Sequence, residues 1–204
     1  LSSISVAGDT SGSITIAAPA AAGSGTLTLP TGTDTLIGKA TTDTLTNKSI
    51  AATQLTGTIA AAALPAGSVL QVVNASTSTL ASNTTVTYAD TGLTATITPK
   101  FNTSKILVLV SQSCFKSNGN LNNAVNIKLF RGATDLGRIV YAQGYTGTTI
   151  ENYGQPATQY LDSPATTSAT TYKTQFANNA AAATITVQPD NFGLSVITLM
   201  EIAA

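Results

Sequence analysis

Histidine and tryptophan are absent from the chain, and cysteine occurs once. Without histidine there is no Ser-His or Cys-His nucleophilic pair. A single cysteine excludes an intrachain disulfide and, with no histidine, a His/Cys zinc site. Charge is scarce too, at 9% of residues, where an ordinary soluble domain carries about 25%. The nine basic and nine acidic residues cancel. Scattered in this way, the cations make no face that displaces counterions from phosphates, so nucleic acid is not an expected partner. An anionic membrane surface is disfavoured for the same reason. No apolar run approaches the roughly 20 residues that span a bilayer, and Ile106 to Val110 has only strand length, so no membrane insertion is expected. Leu1 to Gly12 has neither the basic start nor the apolar stretch of a secretory leader.

Ala, Thr, Ser, Gly and Asn fill the space that Lys and Glu usually occupy, and they do so unevenly. Residues 1–66 contain almost no aromatics. Ser13-Ile14-Thr15-Ile16 and Thr26-Leu27-Thr28-Leu29 alternate with period 2 and read as short strands. The turn-rich spacer Ala17 to Gly23 lies between them. Asp34-Thr35-Leu36-Ile37-Gly38-Lys39 is echoed nine residues later by Asp43-Thr44-Leu45-Thr46-Asn47-Lys48, and Leu55 keeps a similar interval. Strands this thin bury too little to offset an ordering cost of about 1–2 kcal/mol per residue. Three copies wound together would give each apolar stripe two others to face. The expectation is an extended, homotrimeric shaft or attachment segment over residues 1–66.

Residues 67–204 read as a folded domain. Expected strands are Val69–Val73, Thr84–Tyr88, Leu93–Thr98, Ser104–Phe115, Ala124–Arg131, Gly137–Ala142, Thr170–Ala177, Ala183–Gln188 and Leu194–Ile202. Most start about 9 to 15 residues after the one before, with no amphipathic helix between them, the pattern of a β-sandwich or jelly roll. Lys105 to Val110 is apolar on both faces, as in a central strand. Expected core positions are Ile106, Val108, Val110, Ile127, Leu129, Ile185, Val187, Val196, Ile197 and Leu199. The fold class is therefore mainly β, a thin front followed by a β-sandwich knob.

Thr44-Leu45-Thr46-Asn47-Lys48-Ser49-Ile50 resembles the "TLTNK" element of bacteriophage tail-fibre shafts. Ser11 to Pro19 and Gly25 to Pro30 resemble another element of phage fibre-like proteins. Gly67 to Val73, Asp90 to Leu93, Ser104 to Val108 and Ile197 to Ile202 resemble their terminal modules. The resemblance implies a homotrimeric virion appendage on the outside of the particle. Its knob would be a jelly roll of the tumour-necrosis-factor or C1q kind, attached to other virion proteins through the N-terminal segment. Tail fibre, head fibre and capsid-decoration protein share these modules. The expected role is host-surface adhesion, and a cellular adhesin is a rival reading.

No catalytic residue, metal or cofactor is expected. A polysaccharide depolymerase is the alternative of another class, and it would need two carboxyls about 5–9.5 Å apart. The candidates are Asp90, Asp135, Glu151, Asp162, Asp190 and Glu201. Asp90, Asp135 and Asp190 stand in turn contexts, and Glu201 reads as solvated or cross-strand paired. Cys114 reads as a buried structural thiol. Tyr141, Tyr145, Asn152, Tyr153 and Tyr160 lie among glycines and amides, a composition suited to contacting a host glycan. The same tyrosines would equally suit a subunit interface or the closed end of a sandwich.

Overall fold

A computed structural model of the chain describes residues 3–7, 10–17, 49, 57–191 and 193–204. The expected strand Thr26–Leu29, the near-repeat at 34–48 and, apart from Ser49, the Thr44–Ile50 element lie outside the described residues. The chain divides into two units, Leu1–Thr56 and Gly57–Ala204.

In the first unit, β1 (Ser3–Ala7) pairs antiparallel with β2 (Ser13–Ala17). Ile4 stands opposite Ile16 and Val6 opposite Ile14, so β-branched residues hold alternate positions of the register. A two-stranded hairpin of this size is marginal alone.

The second unit is an antiparallel sandwich. Its strands are β3 (Val69–Thr77), β4 (Ala81–Asn83), β5 (Ala89–Ile97), β6 (Lys105–Ser111), β7 (Cys114–Lys116), β8 (Val125–Arg131), β9 (Thr134–Gln143), β10 (Asn152–Gly154), β11 (Ala157–Asp162), β12 (Thr170–Asn178), β13 (Ile185–Val187) and β14 (Ser195–Ile202). One sheet runs β11-β6-β14-β3 and the other β5-β12-β8-β9. This is the double Greek-key winding of a jelly roll. A third sheet, β10-β7-β13-β4, repeats the order of the first, because each of its strands is the same stretch of chain resumed beyond a break.

The break has a chemical cause. Alternation along β6 turns Ile106, Val108 and Val110 inward, and the next inward position is Gln112. Ser113, between Gln112 and the inward Cys114, is itself buried. The neighbouring chain breaks at Gln155-Pro156, and proline has no N–H to give a ladder. Gly193 leaves no room for a Cβ, with Ser113 and Pro189 already against it.

Two apolar clusters result. Leu93, Ile97, Ile106, Val108, Val110, Leu129, Tyr172, Ile197 and Leu199 form one, and Cys114, Val125, Ile127, Phe176, Ile185 and Val187 the core of the other. The inward positions between them are polar. Gln112 Nε2 donates to Ser195 Oγ at 2.8 Å, Thr174 Oγ1 donates to Gln112 Oε1 at 2.9 Å, and Thr91 and Thr174 share a bond of 2.6 Å. The Gln188 amide satisfies both of its ends when its oxygen faces Ser195 and Gln112 and its nitrogen the carbonyls of Thr79, Thr91 and Val187. Ser195 Oγ then donates once and accepts twice, which is all a hydroxyl can do.

Several expectations need correcting. Ser104–Phe115 is not one strand but β6 and β7. Thr84–Tyr88 is not a strand, because Asn83 Oδ1 accepts from the Thr85 N–H at 2.8 Å and Asn83 Nδ2 donates to the Thr87 carbonyl at 2.9 Å. Those local bonds take the place of a ladder. Asp90 lies within β5 and Asp135 within β9, so neither stands in a turn. Val196 faces outward, since Ser195, Ile197, Leu199 and Glu201 take the inward positions of β14. The other nine expected core positions are buried.

Candidate functional site

The two outward faces of the sandwich differ in kind. On the sheet β11-β6-β14-β3, direct cross-strand pairing lines up Leu161, Leu107, Met200 and Val72 in one row. The next row is Gln159, Leu109, Thr198 and Asn74, and the next Ala157, Ser111, Val196 and Ser76. Beyond the break the row Tyr153, Phe115, Thr186 and Ser82 continues it. These four rows contain no charged residue. Val72 and Leu161, at the ends of the apolar row, are 56% and 53% exposed.

The outward face of β5-β12-β8-β9 is built for water. Its rows are Thr94, Lys173, Phe130, Asp135 and then Asp90, Gln175, Lys128, Arg138. Lys173 pairs with Asp90 at 2.9 Å, and Lys128 pairs with Asp135. Hydrogen bonds from Lys173 and Gln175 hold the Asp90 carboxyl below its ordinary range, and the hydrogen bond from Lys128 does the same for Asp135. In a chain this poor in charge, five charged residues on one face and none on four rows of the other is a division of labour. Depletion of charge marks the centre of protein interfaces.

The expected tyrosine site is dispersed. Tyr160 is half-buried and packs against the first apolar cluster. Tyr153 stacks on Phe115 with ring centroids 4.6 Å apart. Tyr141 is 66% exposed and lies under the Arg138 guanidinium, 4.1 Å from it. Tyr145 is exposed in the loop between β9 and β10, and Asn152 is half-buried. That loop is held from below by Lys116. Lys116 is fully buried; its Nζ donates to Thr146 Oγ1 at 2.6 Å and to the Thr148 carbonyl at 2.8 Å. No carboxylate among the described residues pairs with it.

Of the six candidate carboxyls, Asp90 and Asp135 are ion-paired and Asp162 and Glu201 are buried. Asp162 is buried against Arg131 and Tyr172. Glu201 is fully buried and not solvated. It is cross-strand paired with Gln71, whose Nε2 donates to it, and it accepts the Lys100 N–H at 2.7 Å. Glu151 lies exposed in the loop before β10, and Asp190 in a short 3-10 turn at φ 58°. Among the described residues, no three His, Cys, Asp or Glu gather as a metal site. Burial pushes the Cys114 thiol up to about 12, which leaves it unreactive near neutrality.

Glu201 makes an acid-stability prediction. Burial pushes its carboxyl up, but hydrogen bonds from Gln71 and from the backbone N–H groups of Lys100 and Phe101 outweigh that and hold it below the ordinary glutamate value of 4.5. A carboxyl depressed in the folded state contributes stability above its unfolded value and loses it as pH falls through the folded one. Stability should therefore fall as pH drops below 4.5. Chemical denaturation at stepped pH should show that slope flattened in Glu201→Gln. An equal slope in both proteins would refute the assignment.

The face of Leu107, Leu161, Met200 and Val72 was not anticipated as a site. Its signal was present in β14, where Val196, Thr198, Met200 and Ile202 alternate with Ile197, Leu199 and Glu201.

No family model matches the chain, and no curated protein matches it. Among solved structures, it is similar to the crystal structure of the infectious bursal disease virus VP2 subviral particle, at 13% identity and a TM-score of 0.33. The structure of the infectious bursal disease virus Gt strain gives 12% identity and a TM-score of 0.31. Both alignments cover 67% of this chain and 39% of the other. Likeness of that extent carries no fold or function across.

Proposed function

We propose that this chain is a structural protein of a bacteriophage particle, a homotrimeric fibre whose knob contacts the host surface. One observation carries the assembly. The outward face of β11-β6-β14-β3 presents four uncharged rows, while the opposite face is laced with ion pairs. A second copy of the chain is its natural cover, because residues 1–66 of the same chain are too poor in apolar side chains to hold a core without sisters. Tail- and head-fibre roles follow from the resemblance of Thr44 to Ile50 and of the knob's strand tags to phage fibre proteins. Attachment to other virion proteins falls to the N-terminal segment. The role is mechanical and adhesive, and three weak sites on one trimer gain avidity without a tight single site.

Light scattering of the purified full chain should return three times the chain mass at micromolar concentration. Immunogold labelling of particles should then place the protein on tail or capsid. A monomer at all concentrations would overturn the assembly, and unlabelled particles the virion role. Release of reducing sugar from host polysaccharide would instead favour the depolymerase.

A further inference from the structure

We propose that the outward face of β8 and β9 is a binding site for an acidic saccharide, with Arg138 as its anion partner and Tyr141 as its stacking ring. The proposal rests on the adhesive reading and names the class of ligand. Lys128 and Arg138 stand directly opposite each other across β8 and β9. Like charges in that position repel, so the pair is unfavourable for the sheet itself. Asp135 neutralises only Lys128. No carboxylate among the described residues pairs with Arg138, whose positive charge is the uncompensated one on this face.

Rings flank both cations. Tyr88 lies 4.7 Å from Lys128 Nζ, and Tyr141 lies 4.1 Å from the Arg138 guanidinium carbon. The ring of Tyr141 is 66% exposed although it already carries a cation. An arginine stacked on an aromatic ring keeps its N–H fork free, and that fork matches a carboxylate in two parallel hydrogen bonds. A uronic acid offers that carboxylate together with the apolar face of a pyranose for the ring. A phosphate backbone is a poorer fit, since nucleic-acid affinity needs several cations along a groove, and here two stand together. β9 also departs from regular pairing at three places along β8, so the edge carrying Arg138 and Tyr141 is shaped and not flat. Such irregularities re-aim side chains at sites.

The test uses the full chain and immobilised polygalacturonate, with its methyl ester, dextran and duplex DNA alongside. Binding should appear on polygalacturonate and fall with added salt. Arg138→Gln and Tyr141→Ala should each weaken it about tenfold or more, while Lys173→Gln, two strands away on the same face, leaves it within twofold. Equal retention on the methyl ester or DNA would overturn the proposal, as would an equal loss in Lys173→Gln. So would an absence of binding. Light scattering of the same samples reads the assembly separately, so a failed saccharide site and a failed trimer are told apart.

Discussion

Asp162→Ala is expected to lower the unfolding free energy by about 3 kcal/mol, the scale for removing one partner of a buried ion pair. Asp162 closes β11 in one sheet, and its carboxylate takes both oxygens' worth of contact from the other. Arg131 of β8 donates from Nη1 to Oδ1 at 2.9 Å and to Oδ2 at 2.7 Å, and the Tyr172 hydroxyl of β12 donates to Oδ2 at 2.7 Å. The clasp ties three strands of two sheets at one end of the sandwich. Burial and the neighbouring carboxylate both push the Tyr172 hydroxyl above its ordinary range, so it stays a donor. Without Asp162, a hydroxyl with no exposure loses its acceptor, and a guanidinium already 28% exposed turns to water. Tyr172→Phe keeps the packing and removes one charge-assisted bond, about 1.5–3 kcal/mol. Denaturant titrations at one fixed protomer concentration check both, because assembly adds to apparent stability. A loss under about 1 kcal/mol for Asp162→Ala would show that the clasp is replaceable by solvent.

The clasp and the Gln112–Ser195–Thr174–Gln188 layer share a logic. Both bury polar groups beside apolar clusters, and both satisfy them with partners on other strands. Gln112 lies 62 residues from Thr174 and 83 from Ser195. A satisfied buried network favours one register, since a slip of one residue leaves each member without a partner. Leucines in their place would bury more but specify less.

That same distance explains what the sequence made legible. Period-2 alternation is local, and it correctly marks Ile106, Val108, Val110, Ile127 and Leu129 as inward. It does not decide between Val196 and Ile197, because β14 is apolar on both faces and only the pairing partners break the tie. It reads Gln112 as an ordinary interruption, since nothing nearby announces Ser195 or Thr174. It misses β10 and β11, because β11 turns Ala157, Gln159 and Leu161 outward and Thr158, Tyr160 and Asp162 inward, so its apolar letters do not mark the core face. Lys116 looks like a solvated residue after a strand, and only the folded loop supplies Thr146 and Thr148. The uncharged outer face was visible as apolar letters in β6 and β14. That they share rows with Val72 and Leu161 depends on strand order, which alternation does not encode.

Those rows set up the larger of the two effects. Met200→Glu is expected to abolish assembly while leaving the single knob folded. Met200 sits at the centre of the apolar row, directly opposite Val72 on one side and Leu107 on the other. It points away from both clusters, so in an isolated copy a carboxylate there meets water and costs roughly 0.5 kcal/mol or less. In the trimer every copy would bring a carboxylate onto an uncharged row, with Lys105 of the adjoining row as the cation nearest to it on that face. An ion desolvated without a partner costs several kcal/mol, and three such costs exceed what a modest interface supplies. Light scattering should return the monomer mass with an unchanged far-UV circular dichroism spectrum. Gln175→Glu, on the ion-paired face, should remain trimeric. A trimeric Met200→Glu protein would mean that copies meet elsewhere, and that water, not a sister chain, lies against Leu107 and Leu161.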